Sequence, residues 1–210
     1  KLTKTIIFRD KIVKGITLLD ELNNIYKNNP NLLNNLGNLH RFNNNNELAI
    51  KTLEQAIQLD QSDYSLHNDL GAIFFEEDKY DLAEKHYLKS LELKNNDAVV
   101  YHNLGNLKTA KKEMDDGIHY YQKALETNPD FYDSLYSLVR NKVTLDDKKI
   151  KYYENELKIK KQANQSIAPL ALSLAENYEL IGNYDKAMEY YLLGNSEISK
   201  RYNYNNELEK

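Results

Sequence analysis

One evenly spaced pair of residues restricts the fold of this chain more than any other feature. A Leu-Gly pair recurs every 34 residues, at Leu36-Gly37, Leu70-Gly71 and Leu104-Gly105. Two series of small residues keep the same interval, and they are Ala49, Ala83 and Gly117, then Ala56, Ser90 and Ala124. A fixed period of this length, kept by three series in phase, indicates consecutive copies of one structural unit.

Apolar residues within each unit are spaced as on one face of a helix. Leu33, Leu36, Gly37 and His40 stand at positions i, i+3, i+4 and i+7, so they share a face that must be buried. Small residues allow two helices of a pair to approach closely, and large ones fill the groove that remains. A single helix pair cannot bury its whole apolar face, so neighbouring units are expected to stack.

The pattern resembles the tetratricopeptide repeat, whose signature is W-x2-L-G-x2-Y followed by A-x3-F. The first clear copy reads Leu33-x2-Leu36-Gly37-x2-His40 and then Ala49-x3-Leu53. The resemblance implies an all-α fold, a right-handed superhelical solenoid of antiparallel helix pairs. It also implies a protein–protein interaction scaffold that binds a protein or an extended peptide segment.

The repeat predicts how the chain is divided. The predicted parts are a degenerate or partial N-terminal repeat (1–29), three regular units over 30–131 (30–63, 64–97 and 98–131), a degenerate unit (132–167), a last repeat (168–201) and a capping or exit segment (202–210).

Three details of this division can be checked against a structure. Residues 1–9 are expected to form the first helix of a partial repeat, with Gly15 in the second. The second helix of the degenerate unit, 147–161, lacks the usual small residue, and we expect Ile150, Tyr153 and Leu157 to pack inward there. Residues 196–208 are expected to form a capping helix that packs Ile198, Tyr202 and Leu208 on the last repeat.

Composition narrows the function classes. The 210 residues carry a formal net charge of −4 with a sequence pI near 5.8, so no global positive field favours nucleic acid or an anionic membrane. The absence of cysteine excludes disulfides, thiolate nucleophiles and cysteine-ligated zinc. No apolar run is long enough to span a bilayer and no signal peptide is present, so we expect a cytoplasmic location and no membrane contact.

The motifs of common catalytic and metal sites are missing from the sequence. There is no glycine-rich phosphate loop, His-Glu-x-x-His or Gly-x-Ser-x-Gly. Five histidines fall on different helices, and His67 and His102 are the only two expected to meet. We therefore predict no catalytic residue, cofactor or metal, and no enzymatic activity for this chain. A metal-dependent or catalytic protein in its own right is the alternative from another class.

The face opposite the buried stripe of each first helix is rich in amides. Amide side chains donate and accept hydrogen bonds, which suits the peptide groups of an extended partner. The alternative is solvated asparagine that reflects the base composition of the gene. The predicted partner-binding residues are Asn34, Asn35, Asn38, Asn68, Asp69, His102, Asn103 and Asn106.

A tetratricopeptide variant that clamps the C-terminal carboxylate of heat-shock chaperones is a poor match. The positions that would carry its basic residues hold Asn34, Val99 and Asn103, and Asp69 replaces an asparagine. Only Asn38 matches, so a chaperone-tail function is disfavoured.

A second resemblance covers residues 168–204. The stretch Leu174-Ala175-Glu176-Asn177-Tyr178, with Lys200-Arg201-Tyr202 further on, resembles the last repeat and exit segment of bacterial proteins that join tetratricopeptide repeats to a sulfotransferase. Together with a chain that starts at Lys1, not Met, it implies a fragment of a larger protein. This chain would be its N-terminal recognition arm, in contact with a catalytic domain beyond Lys210.

Overall fold

The computed structural model describes the backbone of residues 2–27 and 29–208 and the side chains of residues 9–27 and 29–200. This part of the chain consists of α-helices and turns and contains no strand. The predicted all-helical fold is therefore confirmed. The helices are α1 (Leu2–Ile25), α2 (Pro30–Phe42), α3 (Asn46–Leu59), α4 (Tyr64–Glu76), α5 (Tyr80–Leu93), α6 (Ala98–Ala110), α7 (Met114–Thr127), α8 (Tyr132–Arg140), α9 (Asp147–Gln162), α10 (Ala168–Leu180) and α11 (Tyr184–Leu208).

The chain divides into two compact units, Lys1–Leu107 and Lys108–Lys210. In the first unit α2 packs along α3 and α4 packs along α5, while α1 lies against α2 and α3 against α4. The core of this unit consists of buried residues from these helices: Leu33, Ala49, Leu53, Ala56, Leu66, Leu70 and Ile73.

In the second unit α10 is the central helix. It packs closely along α11 and also contacts α8 and α9, while α7 packs against α8. Its buried cluster includes Leu135, Val139, Leu170 and Leu174, together with Tyr153 from α9.

Side-chain caps start several helices where the sequence places Asn or Asp. The Asn29 side-chain oxygen accepts hydrogen bonds from the backbone nitrogens of Asn31 at 3.0 Å and Leu32 at 3.3 Å, and Pro30 follows as the first residue of α2. Asp63 caps α4 in the same way through Ser65. These caps satisfy backbone N–H groups that have no partner within the helix.

The recurring glycines lie where paired helices come closest. A methyl group added at Gly37 would be 2.8 Å from Leu53 of α3, and one at Gly71 would be 2.6 Å from the Tyr87 ring of α5. Real Cβ atoms do not approach other atoms so closely. The Leu-Gly pairs at Gly37 and Gly71 therefore lie at helix crossings.

The turns inside the helix pairs share one backbone conformation. Asn44, Asp78 and Lys112 have φ angles of 58°, 57° and 65°, and they are spaced by the repeat length. Lys142 and Gly182 occupy the corresponding turns after α8 and α10, with φ of 66° and 79°. Only one of these five left-handed residues is a glycine.

Two expectations about the ends of the chain were wrong in detail. The N-terminal segment forms one helix, α1, and not a short helix followed by a second. Residues 9–14 contain no Gly, Pro or Asn that would break a helix, which explains its continuity. Likewise, residues 196–208 do not form a separate helix but continue α11, and Ile198 is 49% exposed, not packed inward. The side chains of Tyr202 and Leu208 lie outside the described residues.

The degenerate unit behaves as predicted at its core and differs at its edge. Ile150, Tyr153 and Leu157 of α9 are buried, as expected. α8 is only 9 residues long, and the backbone nitrogen of Leu145 in the following segment donates to the side-chain oxygen of Asn177 at 2.8 Å. The Asn177 amide nitrogen is buried without a hydrogen-bond partner among the described residues.

Candidate peptide-binding site

Polar side chains of α2, α4 and α6 form one hydrogen-bonded group in the first unit. The Asn38 amide donates one hydrogen bond to Asn34 Oδ1 at 3.0 Å and another to Asp69 Oδ2 at 2.7 Å. Because Asn38 and Asn34 lie on α2 and Asp69 lies on α4, the second bond joins neighbouring repeats.

The group extends in both directions from this pair. The Asn34 amide donates to Ser65 Oγ at 3.3 Å, and the Asn103 amide on α6 donates to Asn68 Oδ1 at 2.9 Å. Asn68 in turn makes a long contact of 3.5 Å with Asp69 Oδ1. We call Asn34, Asn38, Ser65, Asn68, Asp69 and Asn103 the amide network.

One carboxylate in the network sets its electrostatics. Burial raises the pKa of Asp69, and this effect exceeds the opposing effects of the Asn38 hydrogen bond and the Arg41 charge. Arg41 itself is engaged elsewhere, since its Nε and Nη2 atoms donate to the Glu76 carboxylate at 2.9 and 2.6 Å. That hydrogen bond raises the pKa of Arg41. The network therefore presents a negative charge whose nearest cation is held by another carboxylate.

The network leaves fewer free groups than the sequence suggests. Asn38 uses both of its amide hydrogens, whereas Asn34 and Asn103 each use one of two. In the described part of the chain, Asn34 and Asn103 thus keep an N–H group for a partner. Both residues are half-buried.

The other predicted partner-binding residues lie near this group. Asn35 is exposed on α2 and lies outside the amide network, while His102 and Asn106 are half-buried on α6, on either side of Leu104 and Gly105. The structure thus joins five of the eight predicted residues directly. Binding of a partner by any of the eight stays a prediction.

The sequence analysis expected His67 to meet His102, and the structure places His67 against His86. His67 lies against His86, with 3.1 Å between their Nδ1 atoms and 5.3 Å between ring centroids, and Phe74 packs on His86 at 5.3 Å. The reason is that α4 and α5 are paired helices of one repeat. Burial and then the neighbouring His67 and Lys85 lower the pKa of His86 to about 4, so the pair is neutral at pH 7. No group of three or more metal-binding side chains occurs among the described residues.

A polar cluster in the second unit was not predicted. Glu154 Oε1 on α9 accepts hydrogen bonds from the hydroxyls of Tyr178 at 2.7 Å and Tyr190 at 2.9 Å, and from Lys186 Nζ at 3.0 Å. Burial raises the pKa of Glu154, but these hydrogen bonds outweigh burial and lower it. The Tyr178 and Tyr190 rings are stacked with centroids 5.6 Å apart. The cluster fixes α9 to α10 and α11, and a lone carboxylate on the inward side of α9 was its only sequence signal.

Three profiles described as tetratricopeptide repeat match the chain. They cover residues 34–98, 98–131 and 168–196. Together these segments span more than half of the 210 residues. A search of curated proteins returns no match.

Solved structures share the fold at low sequence identity. PilF of Pseudomonas aeruginosa has a TM-score of 0.63 at 17% identity, over 91% of this chain and 86% of its own. A chain of the APC/C hetero-tetramer Cut9–Hcn1 has a TM-score of 0.67 at 16% identity, over 90% of this chain and 37% of its own. The first tetratricopeptide domain of Spaghetti (RPAP3), bound to the HSP90 peptide SRMEEVD, has a TM-score of 0.52 at 18% identity, over 54% of this chain and 92% of its own.

These matches agree with the geometry of the helix pairs. Two of the profiles cover the segments in which the 34-residue period is clearest, and the profile over 34–98 includes Gly37 and Gly71 at helix crossings. The chain belongs to the tetratricopeptide-repeat family.

Proposed function

We propose that this protein–protein interaction scaffold binds an extended polypeptide segment on the α2–α4–α6 face of its first unit. The observation that carries the proposal is the amide network, which holds side chains from three successive first helices in fixed positions. A surface that is already ordered loses little conformational entropy when a partner binds. Asn34 and Asn103 each keep an amide hydrogen for the carbonyl oxygens of an extended chain.

The charge of the site limits the partner. Asp69 lies in the middle of the network, and a carboxylate of the partner placed there would meet a like charge in a partly desolvated position. We therefore expect segments that present peptide groups, amides or a cation at this point. The RPAP3 domain is bound to the acidic peptide SRMEEVD, and the same peptide should bind poorly here.

The experiment uses a peptide selected on the protein itself. A phage-displayed library of random peptides is selected against the full chain, and a selected peptide is labelled for fluorescence polarisation. The double variant Asn34→Ala/Asn103→Ala should weaken its binding by about 1 kcal/mol, or about fivefold, per lost hydrogen bond. The matched control is Asn155→Ala/Asn195→Ala, since both residues are exposed in the second unit. Equal affinity of the wild type and the Asn34/Asn103 variant would place the binding surface elsewhere.

A second arm tests the role of Asp69. The peptide SRMEEVD should displace the labelled selected peptide more readily from the Asp69→Asn variant than from the wild type, because the substitution removes the like charge and preserves an acceptor for Asn38. If both proteins bind this peptide equally, Asp69 does not select the partner.

The predictions about enzymatic activity, cellular location and a larger parent protein remain proposals. Tetratricopeptide-repeat proteins are generally scaffolds without catalytic activity, and we infer the same for this chain. None of the described helices is long and apolar enough to cross a membrane, and a cytoplasmic location stays a prediction. The sulfotransferase-like parent and its contact with a downstream domain gain no support from the comparisons.

A further inference from the structure

The charge of α9 differs from that of the other second helices of the pairs. It carries six lysines and three acidic residues, whereas α3, α5 and α7 each carry more acidic than basic residues. This concentration of lysine occurs in a chain whose formal net charge is −4. A local charge opposite to that of the whole chain indicates a surface for a charged partner.

The lysines fall on one exposed face together with apolar side chains. Lys148, Lys151 and Lys158 are spaced by three and seven residues, so they share a side of the helix. Tyr152 is 44% exposed and Ile159 is 49% exposed on the same side. We call these five residues the α9 basic face.

Two acidic residues of α9 and its start are engaged in contacts, and Asp147 is exposed in the first turn, four residues before Lys151. Glu154 faces α10 and α11, where two tyrosines and Lys186 bond to it. Asp146 caps the helix by accepting from the backbone nitrogen of Lys149 at 2.8 Å. Lys160 pairs with Asp130 at 3.1 Å. Among the described residues, the three lysines of the α9 basic face make no ion pair, so their charges are available to a partner.

We propose that the α9 basic face binds an acidic segment of a partner polypeptide. The ten residue steps from Lys148 to Lys158 span about 15 Å of helix, which matches about five residues of extended chain. Acidic side chains of the partner pair with the lysines, and an apolar side chain packs between Tyr152 and Ile159. A membrane is a poorer fit, since two exposed apolar residues separated by Asn155 do not form the continuous apolar face of an interfacial helix.

This surface is independent of the amide network. It belongs to the second unit, whereas the amide network belongs to the first, and it selects for charge where the network selects for peptide groups. Its test therefore does not depend on the proposed peptide-binding site.

The test measures binding of a designed probe by fluorescence polarisation. The probe is a fluorescein-labelled decapeptide of glutamate and leucine, and the comparison peptide replaces glutamate by lysine. The wild-type chain should bind the acidic probe, and Lys148→Glu/Lys151→Glu/Lys158→Glu should weaken binding by about tenfold or more. The affinity should also fall as salt is added, because exposed ion pairs are screened.

A matched variant separates this face from the general charge of the protein. Lys11→Glu/Lys51→Glu/Lys85→Glu changes the net charge by the same amount at exposed positions of the first unit. It should leave binding nearly unchanged, and Tyr152→Ser/Ile159→Ser should weaken it at constant charge.

The proposal is overturned if the control triple variant weakens binding as much, if the lysine probe binds equally, or if neither probe binds. Binding to vesicles containing phosphatidylserine without binding to the acidic probe would also overturn it, because the face would then recognise a membrane.

Discussion

At the scale of single residues, the half-buried histidine pair makes stability depend on pH. The pKa of His86 is about 4 in the folded protein, mainly because of burial, and about 6.5 in an unfolded chain. A folded pKa below the unfolded value means that protonation favours the unfolded state. The stability contributed by neutral His86 is therefore complete above about pH 6.5 and is lost as the pH falls toward 4.

The first prediction follows from this sign. Lowering the pH from 7.5 to 5 should reduce the Tm of the wild-type protein more than that of His86→Gln, which cannot be protonated. The Tm of each protein is measured by circular dichroism at both pH values. His119→Gln removes an exposed histidine and serves as control, so it should follow the wild type. An equal loss of Tm in the wild type and His86→Gln would show that His86 does not titrate as described.

The second prediction concerns the left-handed residue Lys112. Its φ of 65° costs about 1–2 kcal/mol for a residue with a Cβ atom, whereas glycine adopts it freely. Glycine also makes the unfolded chain more flexible, which lowers the free energy of unfolding by about 0.4–1 kcal/mol and offsets part of this gain. Lys112→Gly should therefore raise the free energy of unfolding by about 0.5 kcal/mol. Denaturant unfolding of Lys112→Gly and Lys112→Ala measures the difference, and no gain over the alanine variant would contradict the strain.

At the scale of helices, the close crossings predict the cost of a single methyl group. An alanine Cβ at position 71 would lie 2.6 Å from two atoms of the Tyr87 ring, and that ring is 1% exposed and enclosed by the core. Overpacking of this kind costs about 1–3 kcal/mol. Replacing glycine by alanine in a helix gains at most about 1 kcal/mol in helix propensity, so the cost of overpacking is the larger effect. Gly71→Ala should therefore lower stability in denaturant unfolding.

The matched control for this prediction is Gly15→Ala. Its added methyl would lie 3.0 Å from Leu39 Cδ1, the flexible end of a side chain. The variant should be neutral or slightly more stable, since the helix-propensity gain is retained. If Gly71→Ala is as stable as Gly15→Ala, the α4–α5 crossing has room for a methyl group and the prediction is wrong.

The helices also show which parts of the structure could be predicted from sequence. The crossings at Gly37 and Gly71 were predictable because the 34-residue period records them directly. The continuity of α1 was not, because the repeat pattern suggests a break although residues 9–14 contain no helix-breaking residue. The continuity of α11 was not either, because the helix runs through Gly194 and Asn195, which the sequence marks as a possible end. The partnership of Glu154 with Tyr178 and Tyr190 depends on the position of α9, which no periodic residue determines.

The candidate site was predictable to a similar degree. The face that carries Asn34, Asn38 and Asn103 follows from helical spacing alone. The hydrogen bonds among these residues do not, because they require side-chain distances between helices of neighbouring repeats. The sequence therefore predicts which side chains line the face and overestimates how many of their groups are free.

At the scale of the whole molecule, the two compact units predict uneven stability. Interactions in a repeat array are mainly between neighbours, so a defect weakens its own surroundings most. In hydrogen-exchange mass spectrometry, Gly71→Ala should speed exchange in α4 and α5 of the first unit. Exchange in α10 and α11 of the second unit should change little. Equal acceleration in both units would mean that the chain unfolds as one cooperative body.

The five left-handed turn residues have a consequence for how this protein can vary. The backbone keeps the same turn whether the residue is uncharged Asn44, acidic Asp78 or basic Lys112. Because four of these five turns adopt the conformation without a glycine, the side chain at each turn is open to substitution at a cost of about 1–2 kcal/mol or less. Related proteins can therefore acquire different patterns of surface charge at these turns, one position at a time, while the helices around them stay in register.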